Sequence, residues 1–475
     1  MKRRRRRRPS ATPRISPAAL DHINPNAAGL DCGAGNHVVA VPPDRDPCPV
    51  RTFGTFTGEL HRLADWLLAC RVTDVALEAT GVYWIPVFEI LEARGLAVSL
   101  VNARHVKNVP GRKSDVSDAE WLRDLHIMSL LRGSFRPADE IVALRAYLRH
   151  RSTLIEGASA QIQRMQKALV QMNVQLPLVV SDITGVTGLR ILRDIVAGQR
   201  DPRHLAQHRD RRCRASVAEI EAALTGNYRP EHVLVLAQHL ALYDAYQQQV
   251  SACDVAIAAH LETLADPAPE PPHPLPPPRG VRKPAHSNEP AFDVRTPLHR
   301  LAGTDLSQID GLGPYTALRL VAEIGTDMSH WPTEHHFTSW LTLAPRNKIS
   351  GGRLLSSRTQ PSANRAAAIL RMAAMTLGRS STALGAFYRR LSSRIGKAKA
   401  ITATARKLAI LVYRTLKGEL VYSDPGADAY DANHRTQLTR RLRHRAAKLG
   451  FGLVNLETGE IIGPALTKHP QPVVS

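Results

Sequence analysis

Two aspartates three positions apart lie in the stretch of this chain best suited to chemistry, Lys113-Ser114-Asp115-Val116-Ser117-Asp118-Ala119. Residues i and i+3 share a helix face, so at a helix start Asp115 and Asp118 can point into one cleft and hold a divalent cation there. The same residues also suit an ordinary helix start. Serines and acids cap helices and complement the dipole, and Ser117 with Glu120 spells a capping box. Two further acids bear on the choice. Asp31 and Glu78 each end a predicted strand, and open α/β sheets build their sites at the carboxyl ends of strands. Four carboxylates about 5 Å apart would repel by about 3 kcal/mol per pair at an effective dielectric near 20, so a cluster of all four implies cations. Two Mg2+ ions, or Mn2+ in their place, suit such a set: they position a scissile phosphate and stabilise the attacking and leaving oxygens. Scattered over a surface, the four acids would be unremarkable.

The elements that must position these acids alternate in type. Ala27 to Val41 reads as a β-hairpin, with a strand ending at Asp31, a glycine-bearing turn and a second strand. Arg51 to Phe56 adds a third strand, and Gly58 to Cys70 has the period of a helix. A strand from Asp74 to Leu77 ends at Glu78; a helix, Val82 to Ala93, and a strand, Ala97 to Val101, follow. The alternation predicts an α/β domain over residues 26–136 with a largely parallel sheet.

Composition points to the partner. Lys and Arg number 63 against 42 Asp and Glu, a formal charge of +21, which favours a polyanion, nucleic acid first. The charge is patterned: Lys2 to Arg8 is one uninterrupted run, read with the rest of residues 1–25 as a disordered tail. The five cysteines, Cys32, Cys48, Cys70, Cys213 and Cys253, form no C-x-x-C pair, which argues against a zinc ribbon or a disulfide framework and for a reducing compartment. No apolar run approaches the roughly 18 residues of a membrane span, and no apolar core of a signal peptide follows the arginines. The expected location is the bacterial cytoplasm, on the nucleoid when the protein is bound to DNA.

Ala138 to Lys167 carries Leu144, Leu148, Leu154, Ile155, Ile162, Met165 and, just beyond, Leu169 at helical spacing, either a core helix or a projecting or dimerising coiled coil. Ser216 to Leu264, joined through Asp182 to Arg214, is the candidate returning arm of a helical region over residues 137–265. Residues 266–297 hold a proline-rich linker that reads as polyproline II, and His273 and His286 within it are too isolated for a metal site. Ile183 to Gly198 echoes Ile309 to Gly325, each with glycines before an apolar helix. The second resembles a helix-hairpin-helix, whose backbone N–H groups meet phosphate without reading bases, although a plain αα turn has the same pattern. In the mostly helical domain over residues 298–424, Leu343 to Arg353 reads as a basic loop with Ser350 beside two glycines. Glycine lets backbone approach a phosphate, and Arg346, Lys348 and Arg353 would neutralise it. Asn364 to Leu377 and Thr402 to Leu416 read as helices. Between them a basic stretch, Tyr388 to Lys399, offers Arg389, Arg390, Arg394 and Lys397 to phosphates. Residues 425–475 form a basic extension.

In this order, these motifs resemble those of the DEDD insertion-sequence transposases, relatives of the Piv invertases, in the group numbered one hundred and ten. Gly29-Leu30-Asp31 is similar to the family's opening strand motif, Leu77-Glu78-Ala79-Thr80-Gly81-Val82-Tyr83 to its second and Lys113 to Ala119 to its third. The resemblance implies a RuvC-like, RNase H-type fold with Asp31, Glu78, Asp115 and Asp118 as the metal-binding quartet. It also implies a coiled-coil middle and a transposase domain whose nucleophilic serine, in a Ser-Gly motif, is matched by Ser350. Ala34 stands where many members have Lys, and Pro361-Ser-Ala-Asn364 where the family often has a Lys-Gly-Asn element. The chain ends and the linker lie outside the resemblance. The expected protein is a DNA transposase or recombinase, guided by a structured bridge RNA and assembled as a dimer or tetramer in which quartet and serine can meet across protomers. Ser350 would form a covalent phosphoserine link that conserves bond energy for rejoining. A RuvC-like junction nuclease would use water instead. An actin- or sugar-kinase-like ATPase is suggested by Gly29-Leu-Asp-Cys-Gly but lacks a second Asp-Gly phosphate motif, since Asp310-Gly311 opens the helix-hairpin-helix. A non-catalytic DNA-binding protein would match the charge and not the ordered acids.

Overall fold

The computed structural model describes residues 23–79, 81–102, 118–131, 133–265, 275–277, 288–459 and 461–462. The arginine run, Asp115, Ser117 and the rest of their motif before Asp118, Thr80, His273, His286 and most of the proline-rich linker lie outside the described residues. The chain divides into two compact units, Met1–Arg136 and Pro137–Ser475, so the segments on either side of the linker belong to one unit. Among the described residues, no helix is long and apolar enough to cross a membrane.

The first unit is built on five strands, β1 (Ala27–Cys32), β2 (Asn36–Ala40), β3 (Val50–Gly54), β4 (Asp74–Glu78) and β5 (Ala97–Val101), in the order β3-β2-β1-β4-β5. The sheet is mixed rather than largely parallel. A short turn sends β2 back along β1, and β3 returns along β2, so both pairs are antiparallel, while β4 and β5 join through helical crossovers as parallel strands. Helices α1 (Thr57–Ala69) and α2 (Trp84–Ala93) cover one face, where Leu30, Val39, Leu63, Leu67, Leu77 and Leu91 make a continuous apolar core. Leu122 and Leu125 of α3 (Asp118–Ile127) pack with Val101 in a second cluster.

In the second unit, α4 (Asp139–Gln171) is paired along its length by α9 (Pro230–Ala265). Their antiparallel course is fixed by three contacts: His260 Nε2 lies 3.0 Å from the Glu140 carbonyl oxygen, Arg151 pairs with Asp254, and His239 Nδ1 lies 2.9 Å from Gln161 Oε1. The long helix therefore finds its coiled partner within its own chain. Arg151 is 1% exposed; it also donates to the Asn288 carbonyl oxygen and to the Tyr315 hydroxyl, so the buried charge is fully met. Four short helices, α5 (Leu176–Val179), α6 (Val186–Val196), α7 (Pro202–Ala206) and α8 (Val217–Ala223), close the far end of the pair around Met165, Leu169, Ile191, Ile195 and Leu236. The tract expected as one arm from Ser216 is thus two helices. Ser216 and Glu219 form a capping box that starts α8, and α9 starts only at Pro230, after Tyr228 takes a positive φ of 45°.

The remaining helices are α10 (Arg295–Ala302), α11 (Pro314–Ile324), α12 (Glu334–Trp340), α13 (Arg365–Thr376), α14 (Ala383–Ile395), α15 (Lys397–Leu416) and α16 (Gly426–Lys448). A hairpin, β6 (Lys348–Ser350) and β7 (Arg353–Ser356), stands between α12 and α13, and a two-residue pair, β8 (Leu453–Val454) with β9 (Ile461–Ile462), follows α16. Tyr413 of α15 is buried and donates to the Trp331 carbonyl oxygen at 2.7 Å. The basic stretch expected between two helices lies on helices: α14 runs through Ile395, and α15 starts at Lys397 after Gly396. Leu384, Ala386 and Leu391 keep the apolar period on the buried face, leaving Arg389 and Arg394 exposed.

Candidate active site

Register places the first two acids. Leu30 of β1 stands opposite Leu77 of β4, so Asp31 and Glu78 take the next positions at the carboxyl ends of neighbouring parallel strands. The third acid, Asp118, is the first described residue of α3, and Gly29 explains how α3 comes to lie there. A Cβ on Gly29 would fall 2.1 Å from the Ala119 carbonyl oxygen and 2.3 Å from the Arg123 backbone nitrogen. With no side chain in the way, α3 lies directly on β1. Side chains alternate along a strand, so Asp31, two residues on, shares the Gly29 face and looks toward the start of α3. Arg123 fastens the helix, donating to the Val41 carbonyl oxygen at 3.0 Å and to Asp124.

The electrostatics follow from this crowding. Burial raises the Asp31 carboxyl above the usual carboxylate range and the charge of Asp118 raises it further, against the opposing influence of His37 and the Cys32 backbone N–H. The buried Cys32 thiol is pushed up to about 12, first by burial and then by the charges of Asp31 and Glu78. Asp31, Glu78 and Asp118 therefore share one electrostatic neighbourhood. An all-oxygen donor set of this charge fits hard divalent cations. The three acids are not drawn onto a single point, since no ligand-atom group including them falls within 4.8 Å among the described residues.

His37 and Gly29 are the residues of this region whose roles the spacing of acids does not disclose. His37 is 2% exposed, paired with Cys32 across β1 and β2, and burial lowers its pKa. The Gly29-Leu30-Asp31 motif signals the strand end but not the helix resting on the glycine.

In the second unit, Ser350 closes β6. Gly351 and Gly352 have φ of 56° and 76°, the two positive values a type I′ turn requires, and Ser350 pairs with Arg353 across it. Where a loop was expected there is a hairpin, with Ser350 exposed at its tip and Arg346, Lys348 and Arg353 exposed beside it. No hydrogen bond of the Ser350 hydroxyl is found among the described residues. Asn364, at the place where the motif departs, caps α13 by accepting from the Ala367 N–H at 2.9 Å.

The four cations on α14 and α15 divide. Arg394 and Lys397 are exposed on either side of Gly396. Arg389 donates to the Ser380 carbonyl oxygen at 2.6 Å, and Arg390 lies 2.6 Å from His434 Nε2 and donates to the Tyr430 hydroxyl. These two hold the fold together at this place, and Arg390 ties α16 to α14.

Two family models match the chain. One, DEDD_Tnp_IS110, described as a transposase, covers residues 28–174; the other, described as Transposase IS116/IS110/IS902 family, covers residues 303–389. The first takes in Asp31, Glu78, Asp115 and Asp118, and the second takes in the hairpin that bears Ser350. A search of curated proteins finds no match.

Proposed function

The chain belongs to the IS110 family of insertion-sequence transposases, enzymes that cut and rejoin DNA, and on that premise we propose that a metal-holding acidic quartet and a serine nucleophile carry out the strand transfer. Asp31, Glu78, Asp115 and Asp118 are the quartet and Ser350 is the nucleophile. The observation that carries the first half is geometric: Asp31 and Glu78 stand at the carboxyl ends of neighbouring parallel strands, and α3, which carries Asp118, lies directly on β1 at Gly29. The raised Asp31 carboxyl, with burial and the charge of Asp118 as its leading causes, agrees with it. Carboxylates so crowded lower their mutual repulsion by binding cations. The strand order, an antiparallel β1-β2-β3 meander extended by parallel β4 and β5, supports a RuvC-like, RNase H-type reading of this unit.

Bound Mg2+ would supply Lewis-acid stabilisation of the attacking and leaving oxygens. The chain's own part is positional and nucleophilic. Asp31 and Glu78 are fixed by β-sheet register, and Asp118 by the seat of α3 on Gly29. The Ser350 oxygen attacks phosphorus, a P–O bond to the serine forms, and the bond to the departing sugar oxygen breaks. That oxygen leaves with the proton the serine gives up. Arg346, Lys348 and Arg353 along the hairpin neutralise the phosphate, with Arg394 and Lys397 as further phosphate contacts. Arg389 and Arg390 stay in this group only through N–H groups their contacts within the chain leave over. A structured bridge RNA that selects the target and a homo-oligomer, dimer or tetramer, complete the reading.

The test is a covalent trap. Purified protein with Mg2+, donor DNA and RNA is denatured during turnover, and protein–DNA adducts are resolved by mass. The wild type is expected to give an adduct on the peptide containing Ser350, and Ser350→Ala none. Asp115→Asn with Asp118→Asn is expected to abolish both adduct and recombination. Cleavage by Ser350→Ala at the wild-type rate would instead establish water as nucleophile, the junction-nuclease chemistry.

A further inference from the structure

A second set of ligand-bearing side chains lies far along the chain from the acidic quartet, in the helices that close the α4–α9 pair. Asp194 sits near the end of α6. The chain turns at Gly198, whose φ is 104°, and Pro202 starts α7, which carries His204. His208 follows in the turn just after α7, where its N–H bonds the Leu205 carbonyl oxygen, which brings the second imidazole beside the first. Their rings meet edge to face with centroids 5.9 Å apart, and both Nε2 atoms address one carboxylate oxygen. His208 Nε2 lies 2.6 Å and His204 Nε2 3.4 Å from Asp194 Oδ2. One ligand atom from each of the three residues lies within 4.8 Å of the others, and no other group of three or more potential metal ligands does so among the described residues.

We propose that Asp194, His204 and His208 form a binding site for a borderline divalent transition ion, zinc first among them. Two imidazole nitrogens and one carboxylate oxygen are a three-ligand zinc set with a fourth position open to water or an incoming group. At bond lengths near 2.0–2.1 Å, tetrahedral ligand atoms stand roughly 3.3 Å apart. The His204 distance of 3.4 Å already fits, and the His208 contact of 2.6 Å would open by about 0.7 Å when an ion takes the place of the hydrogen bond's proton. The site does not suit Mg2+, which prefers oxygen ligands and retains its waters, so the ion differs in kind from those proposed for the quartet.

A simple ion pair accounts less well for the geometry. One imidazolium neutralises the charge of one carboxylate, yet a second imidazole nitrogen also converges on the same oxygen, at 3.4 Å. Arginine would be the stronger ionic partner and is plentiful here. However, Arg193 turns to Asp244 and Arg203 to Glu221, leaving Asp194 to the histidines. A bound ion would fasten the segment through α7 and His208 onto α6, adding its binding free energy to the stability of this end of the helical unit.

The experiment uses the full chain, freed of metal by a chelator and kept without nucleic acid. Co2+ is titrated with visible absorption as the readout, and Zn2+ with thermal unfolding. Wild type is expected to bind one equivalent of Co2+ with four-coordinate d–d bands and no thiolate charge-transfer band, which separates this site from the five cysteines. Zn2+ is expected to displace it and raise Tm. His204→Gln and His208→Asn are expected to lose that equivalent and the Tm rise; Asp31→Asn should keep both. The His204 side chain is 47% exposed, so metal-free His204→Gln should melt with metal-free wild type and serve as the folded control. Wild type without the Co2+ bands, or variants that keep them, would overturn the site and leave a hydrogen-bonded Asp–His pair. Neither outcome bears on strand transfer.

Discussion

His126, on the buried side of α3, shows at the scale of one residue how burial sets charge. It is 8% exposed, its Nε2 has no hydrogen-bond partner among the described residues, and burial lowers its pKa against the opposing charge of Asp74. The folded protein therefore keeps this imidazole neutral at pH values where the unfolded chain has already taken up a proton. Where the unfolded state binds more protons, stability falls as pH falls, so the contribution of His126 is intact above about pH 6.5 and is lost progressively below it. We expect His126→Phe, which keeps an aromatic ring at the buried position and removes the titration, to flatten this acid limb. Urea unfolding midpoints from pH 7.5 down to pH 5 would read it, and a variant slope equal to that of the wild type would contradict the assignment. Asp31 is shifted in the opposite sense: burial, and after it the charge of Asp118, raise its carboxyl by making the ionised form less favourable than it is in water.

At the scale of elements, the candidate site depends on how α3 meets β1. Gly29→Ala places a methyl carbon 2.1 Å from the Ala119 carbonyl oxygen, so the helix must lift from the strand and carry Asp118 away from Asp31. Overpacking of this kind costs about 1–3 kcal/mol of stability, but a shift of about 1 Å in a catalytic group can cost about 100-fold in rate. DNA cleavage should accordingly fall much further than the Tm of Gly29→Ala suggests; a rate lowered less than about threefold in a folded variant would remove the packing argument. Strands β1, β4 and β5 were readable from residues alone as short apolar runs bounded by turn or polar residues, and α1 by its helical apolar period. Such patterns could not show the seat of α3, which rests on the absence of a side chain. The hairpin of Ser350 escaped because strands of three and four residues are too short to show alternation, and here both faces are exposed. Asp194, His204 and His208 escaped because the acid lies ten residues before the first histidine and only the turn at Gly198 folds it back. The four-residue histidine spacing was the signal available.

At the scale of the molecule, a net charge of +21 is useful to a DNA enzyme only where it is presented. Much of the arginine is engaged within the fold, as Arg151, Arg123 and Arg390 are, so total charge overstates the surface that meets phosphate. Helix α16 is different: no residue in it is buried, and Arg440, Arg441, Arg445 and Lys448 are exposed along its second half. Its first half is held by the contacts of Arg390 with Tyr430 and His434. A helix anchored at one end and cationic at the other can follow a backbone without reading bases. Each phosphate neutralised on duplex DNA contributes about 0.9 to the slope of log affinity against log salt. Replacing these four residues together by Gln, a comparable helix former, should therefore lower the slope by up to about 3.6 and weaken binding equally on specific and unrelated duplexes. The measurement is fluorescence anisotropy of labelled duplexes from low to moderate salt, with circular dichroism to check that α16 remains helical. A slope unchanged from wild type would mean that α16 faces something other than DNA. A loss confined to the specific duplex would mean that it reads sequence.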